Sequence, residues 1–88
     1  MRRNLVASTT LISVGYDLEN MMLEIAFNSG GIYRYFDVPE QAYLGLMNAA
    51  SKGRFHHAYI KRAYFRRRLP YIVAPEGGYD KAVGNKLR

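Results

Sequence analysis

Leu23-Glu24-Ile25-Ala26-Phe27-Asn28-Ser29-Gly30-Gly31-Ile32-Tyr33-Arg34-Tyr35-Phe36 decides the fold. Leu23, Ile25 and Phe27 alternate with Glu24, Ala26 and Asn28, the period of a strand with one side toward a core. Asn28-Ser29-Gly30-Gly31 tolerates positive φ and should close a hairpin into a strand over Ile32 to Phe36. Upstream, Ile12, Val14 and Tyr16 alternate with Leu11, Ser13 and Gly15, and Asp17, Glu19 and Asn20 supply a turn before Leu23. Three strands in a meander are therefore expected over residues 11–36.

Downstream, Asp37-Val38-Pro39-Glu40 joins a capping residue, a first-turn proline and an acid three positions on, which predicts a helix start. Ala42, Tyr43, Leu46, Met47 and Ala50 recur at helical spacing as one apolar stripe. Ser51-Lys52-Gly53 is expected to end that helix on a left-handed glycine. A second helical stretch is expected over Phe55 to Tyr64, with Phe55, Tyr59 and Ile60 on one face. The predicted class is α+β: a three-stranded antiparallel meander followed by two helices. Residues 1–69 form the domain. Two prolines and Glu76-Gly77-Gly78 mark residues 70–88 as an extended carboxy-terminal arm.

The chain of 88 residues has 49% hydrophobic and 23% charged residues, the composition of a folded domain with a single core. It contains no cysteine, which excludes disulfides, thiolate metal sites and a cysteine nucleophile. Small domains without such staples often gain stability by association, so a homo-oligomer is expected. Arg2 and Arg3 precede an uncharged stretch interrupted by Ser8, Thr9, Thr10 and Ser13, and no apolar run approaches the length of a membrane span. A cytoplasmic protein, without membrane association, is the expectation.

Thirteen basic against seven acidic residues give a net charge of +6. Arg54, Lys61, Arg62, Arg66, Arg67 and Arg68 follow one another with no intervening acid, a clustering that attracts polyanions. Guanidinium groups grip phosphate oxygens in pairs, and Tyr64 and Phe65 lie within the run. On the third strand, Tyr33, Arg34 and Tyr35 set a cation between two rings, an arrangement suited to base stacking with a phosphate contact. Lys52 beside Gly53 is a further phosphate candidate, although the glycine spacing of a nucleotide-hydrolysing loop is missing. His56 and His57 are adjacent and point about 100° apart on a helix, which does not suit one metal. The acids Asp17, Glu19, Glu24, Asp37 and Glu40 are assigned to turns, a polar strand face and a cap. Neither catalysis, a cofactor nor a metal is expected.

Taken in order, Thr9-Thr10-Leu11-Ile12-Ser13-Val14-Gly15-Tyr16-Asp17, Leu23-Glu24-Ile25-Ala26-Phe27 and Gly31-Ile32-Tyr33-Arg34-Tyr35-Phe36-Asp37-Val38-Pro39 resemble the KTSC domain. Tyr43, Leu46, Ala49, Ser51-Lys52-Gly53, Ile60 and Tyr64 continue the pattern. That family is named for the carboxyl end of some lysyl-tRNA synthetases and also occurs as short stand-alone proteins, bacteriophage ones included. The resemblance implies RNA binding by association. It departs from the family at His56 and His57, where relatives carry an aromatic residue followed by asparagine, and imidazole offers different hydrogen bonds from a carboxamide.

The expected function is a basic binding module for a phosphate-bearing ligand, RNA or another nucleic acid. Its binding residues would be Tyr33, Arg34, Tyr35, Lys52, His57, Lys61, Arg62, Tyr64, Arg66, Arg67 and Arg68. One alternative is an oligomer that sequesters a small nucleotide, such as a cyclic-nucleotide signal in phage evasion of host defence. Another is a structural assembly protein that uses its carboxy-terminal arm.

Overall fold

The computed structural model describes residues 1–73 and 79–81. In chain order come β1 (Asn4–Leu5), β2 (Leu11–Asp17), β3 (Met22–Phe27), β4 (Gly31–Tyr35), α1 (Glu40–Asn48), α2 (Lys52–Phe55), a π-helical turn (His56–Ile60), β5 (Arg66–Val73) and β6 (Tyr79–Lys81). The strands form one antiparallel sheet in which sheet order equals chain order.

The α+β class and the β2–β3–β4 meander are as the sequence reads, and Gly30 closes the β3–β4 turn at φ 105°. The sheet is wider than expected: six strands replace three among the described residues. β1 has two residues, too short to show a period. β5 was hidden by Pro70, which reads as a breaker. The register runs from Tyr33↔Arg68 to Gly31↔Ile72, so β5 carries extra residues opposite Ile32 and Pro70 falls in the bulge. A bulge does not ask proline for a ladder N–H. Residues 70–73 thus continue β5, and 79–81 pair back on it as β6. The rest of the expected arm lies outside the described residues.

One face of the sheet packs against the helices around a core of Leu11, Val14, Leu23, Ile25, Tyr35, Val38, Leu46 and Ile60. A register shift between Leu11 and Ser13 turns Leu11 rather than Ile12 into that core. The α1 stripe holds for Leu46, Tyr43, Ala42 and Met47, with Tyr43 stacked on Tyr16 at 4.7 Å between centroids. Ala50 lies past the helix end and is exposed.

Three local expectations are corrected. Asp37 does not cap α1: it turns the chain at φ 58°, and extended Pro39 is the N-cap, without a side-chain bond. Asp37 instead aims Val38 inward, where Val38 N–H donates to Met21 O at 2.8 Å and Val38 O accepts from the Tyr16 hydroxyl. Gly53 does not cap α1 either, since Ala49 ends that helix and Ser51 starts α2 by accepting from Arg54 N–H. Gly53 is there for space, because a Cβ would lie 2.7 Å from Thr10 Oγ1. The second helical stretch begins earlier than read and ends at Ile60, leaving Tyr59 exposed beside Phe55 while Ile60 is buried.

By strand alternation the opposite face carries Ser13, Gly15, Glu24, Ala26, Ile32 and Arg34. Glu24, expected on a polar surface, is fully buried between Arg3 at 3.2 Å and Arg34 at 2.9 Å. Arg3 also donates to Ser13 Oγ at 2.8 Å. Its backbone neighbour Arg2 crosses so close over Gly15 that a Cβ there would stand 2.3 Å from Arg2 O.

Candidate functional site

β4 and β5 pair Tyr33 with Arg68, Arg34 with Arg67 and Tyr35 with Arg66. Alternation then splits the arginine run. Arg66 and Arg68 share the helix-side face with Tyr33 and Tyr35, whereas Arg67 joins Arg34 on the other. Both helix-side guanidinium groups lie 5.9 Å from the Tyr33 ring centroid, within cation–π range.

Beside Tyr33 opens a cleft of about 310 Å³ lined by Phe27, Ser29, Tyr33, Tyr35, His56, Lys61 and Arg66. Its cations are placed by backbone. Lys61 N–H donates to His56 O at 2.8 Å, closing the π-helical turn, and Arg66 Nη1 donates to Lys61 O at 3.0 Å. The floor is an aromatic cluster: Phe27 meets Tyr33 and His56 edge to face at 5.9 and 5.0 Å between centroids. A hydrogen bond of 2.7 Å joins Tyr35 Oη to His56 Nε2. Burial, with Lys61, His57 and Arg66 adding repulsion, pushes the imidazole down to about 4. Burial also pushes the Tyr35 phenol up to about 12, with Arg66 opposing. Both groups are neutral near pH 7, so the cleft's charge comes from Lys61 and Arg66.

The expected site residues divide accordingly. Tyr33, Tyr35, Lys61 and Arg66 come together in the cleft and Arg68 stands at its Tyr33 wall. Arg34 and Arg67 lie on the opposite face, Arg34 bonded twice to Glu24. His57 and Arg62 are exposed outside the lining, and Tyr64 packs against the core. Lys52 belongs to a separate cleft of about 490 Å³ formed by residues 7–10 and 50–53, with its ammonium donating to Ala49 O at 3.3 Å. There Ser8 Oγ already accepts from Thr10 and Leu11 N–H, and Ser51 Oγ from Arg54 N–H. That larger cleft therefore offers one tethered cation and no ring, and the smaller one has the richer chemistry. Sequence reasoning missed Phe27, Ser29 and His56 as lining residues. Phe27 shares the alternation of the Tyr33 strand face, whereas His56 is singled out from His57 only by the π-helical turn.

An antiparallel sheet with helices on one face and a cationic, aromatic cleft at the β4–β5 seam defines a small α+β domain. Residues 7–64 match the KTSC domain, and the chain belongs to that family. A KTSC domain protein from Yersinia pestis, known from a crystal structure, is 44% identical with a TM-score of 0.76, over 77% of this chain and 96% of that one. An uncharacterized protein from Stutzerimonas stutzeri is 39% identical over 66 residues, spanning 75% of this chain and 93% of its own length. A lysine–tRNA ligase from Nostoc is 44% identical over 46 residues, which are 52% of this chain but 8% of the ligase. No helix among the described residues is long and apolar enough to cross a membrane.

Proposed function

We propose that this domain is a non-catalytic module that binds single-stranded nucleic acid, RNA foremost, through the β4–β5 cleft. The observation that carries the reading is Tyr33, a half-buried ring flanked by Arg66 and Arg68 at 5.9 Å each. A base stacks on such a ring, while its phosphates meet the two guanidinium groups and Lys61. The exposed Arg62 extends the cationic surface beyond the lining. Among the described residues the cleft is lined by cations and rings, with its imidazole hydrogen-bonded to Tyr35, which suits binding of a phosphate-bearing ligand. The similarity to part of a tRNA ligase supports the same reading.

The test is fluorescence anisotropy with labelled oligouridylates of increasing length, read across a salt series. Affinity grows with length. Exchanging Arg66 and Arg68 together for alanine lowers the salt slope by roughly 1.4, at about 0.7 per lost single-strand phosphate contact. Arg67→Ala, on the opposite face, leaves the slope unchanged. Length-independent, saturable binding of a mononucleotide or cyclic dinucleotide would instead favour the small-ligand alternative, which the cleft's volume of about 310 Å³ accommodates. An unchanged slope in the double variant removes the cleft from consideration.

A further inference from the structure

The imidazole of His56 has two ring nitrogens, and its bond to Tyr35 uses one of them. Nε2 lies 2.7 Å from Tyr35 Oη, while Nδ1 makes no hydrogen bond to another of the described residues. His56 is 8% exposed and lines the β4–β5 cleft. Neither of its nitrogens is among the buried polar atoms left without a partner, so Nδ1 is open to solvent, and the solvent that His56 meets is that of the cleft.

Which nitrogen carries the proton follows from the phenol. Tyr35 is 1% exposed, and its hydroxyl has no other hydrogen-bond partner among the described residues. If Nε2–H donated to Oη, the phenolic O–H would be a buried donor with no acceptor. The O–H therefore donates to Nε2, which puts the ring proton on Nδ1 of the neutral imidazole. Burial keeps that imidazole neutral by holding its titration down at about 4. Tyr35 is thus a positioning residue, and His56 offers the cleft an N–H. Lys61 and Arg66, its neighbours in the lining, also only donate, while the hydroxyls of Ser29 and Tyr33 serve either role.

We infer that His56 Nδ1–H reads the base held in the cleft, so that the domain prefers the keto bases uracil and guanine to cytosine and adenine. This rests on the reading of the cleft as a single-strand site. The Phe27 ring meets both Tyr33 and His56, at 5.9 and 5.0 Å between centroids, so a base stacked on Tyr33 has its edge toward the imidazole. Uracil O4 and guanine O6 accept from the N–H there, whereas cytosine N4 and adenine N6 set an amino donor against a donor. Phosphate oxygens accept in every nucleotide alike. They meet Arg66, Arg68 and Lys61 and carry no base preference.

The probes are labelled oligouridylate and oligocytidylate of equal length, titrated into the full chain. Oligouridylate should bind about tenfold more tightly, the worth of one hydrogen bond made rather than left unmet. Replacing both polar groups, in Tyr35→Phe with His56→Leu, removes the donor without stranding its partner and should level the two affinities. The Arg66/Arg68 alanine variant weakens both oligomers and keeps their ratio. Long-range ¹H–¹⁵N spectra of the ligand-free, histidine-labelled chain should show His56 protonated at Nδ1 and bare at Nε2. The reverse pattern overturns the inference, as does equal affinity in the parent or a preference that survives the double Tyr35/His56 variant. Equal affinities with a salt slope that depends on Arg66 and Arg68 leave the cleft a nucleic-acid site without base selection, whereas binding of neither oligomer removes both readings.

Discussion

Tyr35 Oη and His56 Nε2 lie 2.7 Å apart beneath the cleft, with both residues buried, and this bond ties β4 to the π-helical turn. Its partners titrate far from their ordinary values, which makes the floor of the cleft readable by pH.

The folded imidazole titrates at about 4, the unfolded one near 6.5. As pH falls between these values, the unfolded chain takes up a proton that the folded one refuses. The stabilisation present above 6.5 is therefore lost on acidification through 4, by up to about 3 kcal/mol at about 1.4 kcal/mol per pH unit. Urea midpoints of the parent should drop more steeply between neutral and mildly acidic pH than those of His56→Gln, which has no imidazole to titrate. The phenol acts on the alkaline side. Raised to about 12 from 10, it makes stability fall as pH climbs through that interval.

Tyr35→Phe leaves His56 Nε2 buried without that partner and should cost about 1–3 kcal/mol. In a double-mutant cycle with His56→Leu, the two losses should not add, because removing both polar groups abolishes the unmet hydrogen bond. Additive losses would mean that the two side chains stabilise the fold separately.

Glu24→Gln takes the carboxylate from two guanidinium groups on the far face of the sheet. With Arg3 at 3% and Glu24 at 0% side-chain exposure, the expected cost is about 3 kcal/mol. Arg34→Gln should cost about 1 kcal/mol, since Arg34 is 30% exposed and partly screened. Denaturant midpoints separate the two, and a milder loss at Glu24 than at Arg34 would contradict this ranking.

Gly15→Ala drives a Cβ to 2.3 Å from a backbone oxygen of Arg2, so the β1 segment must lift from β2. The expected cost is about 1–3 kcal/mol. Amide exchange should accelerate first at the β1–β2 pairing. Oligouridylate binding in the cleft should stay as it was.

The meander was legible because its faces differ: Leu23, Ile25 and Phe27 alternate with residues of other character, and Gly30 marks the turn. β5 was not, because Arg66, Arg67 and Arg68 look alike in sequence while alternation sends them to opposite faces. The same ambiguity hid the site. One run of cations serves two surfaces, and only the Tyr33↔Arg68 and Arg34↔Arg67 pairings tell them apart. Glu24 was misread for the converse reason. A carboxylate in a strand implies solvent unless counter-charges reach it, and one of these, Arg3, comes from the distant amino-terminal segment.

Every strand pairing here joins neighbours in the chain, but the β4–β5 pairing must wait for the helical segment between Tyr35 and Arg66 to fold back. The other pairings close short loops, which assemble quickly, and this one sets the longest search in folding. It is also the pairing that brings Tyr33 against Arg66 and Arg68. The seam with the longest loop to close is thus the one that completes the cleft, and a ligand gripping both strands would hold that seam shut.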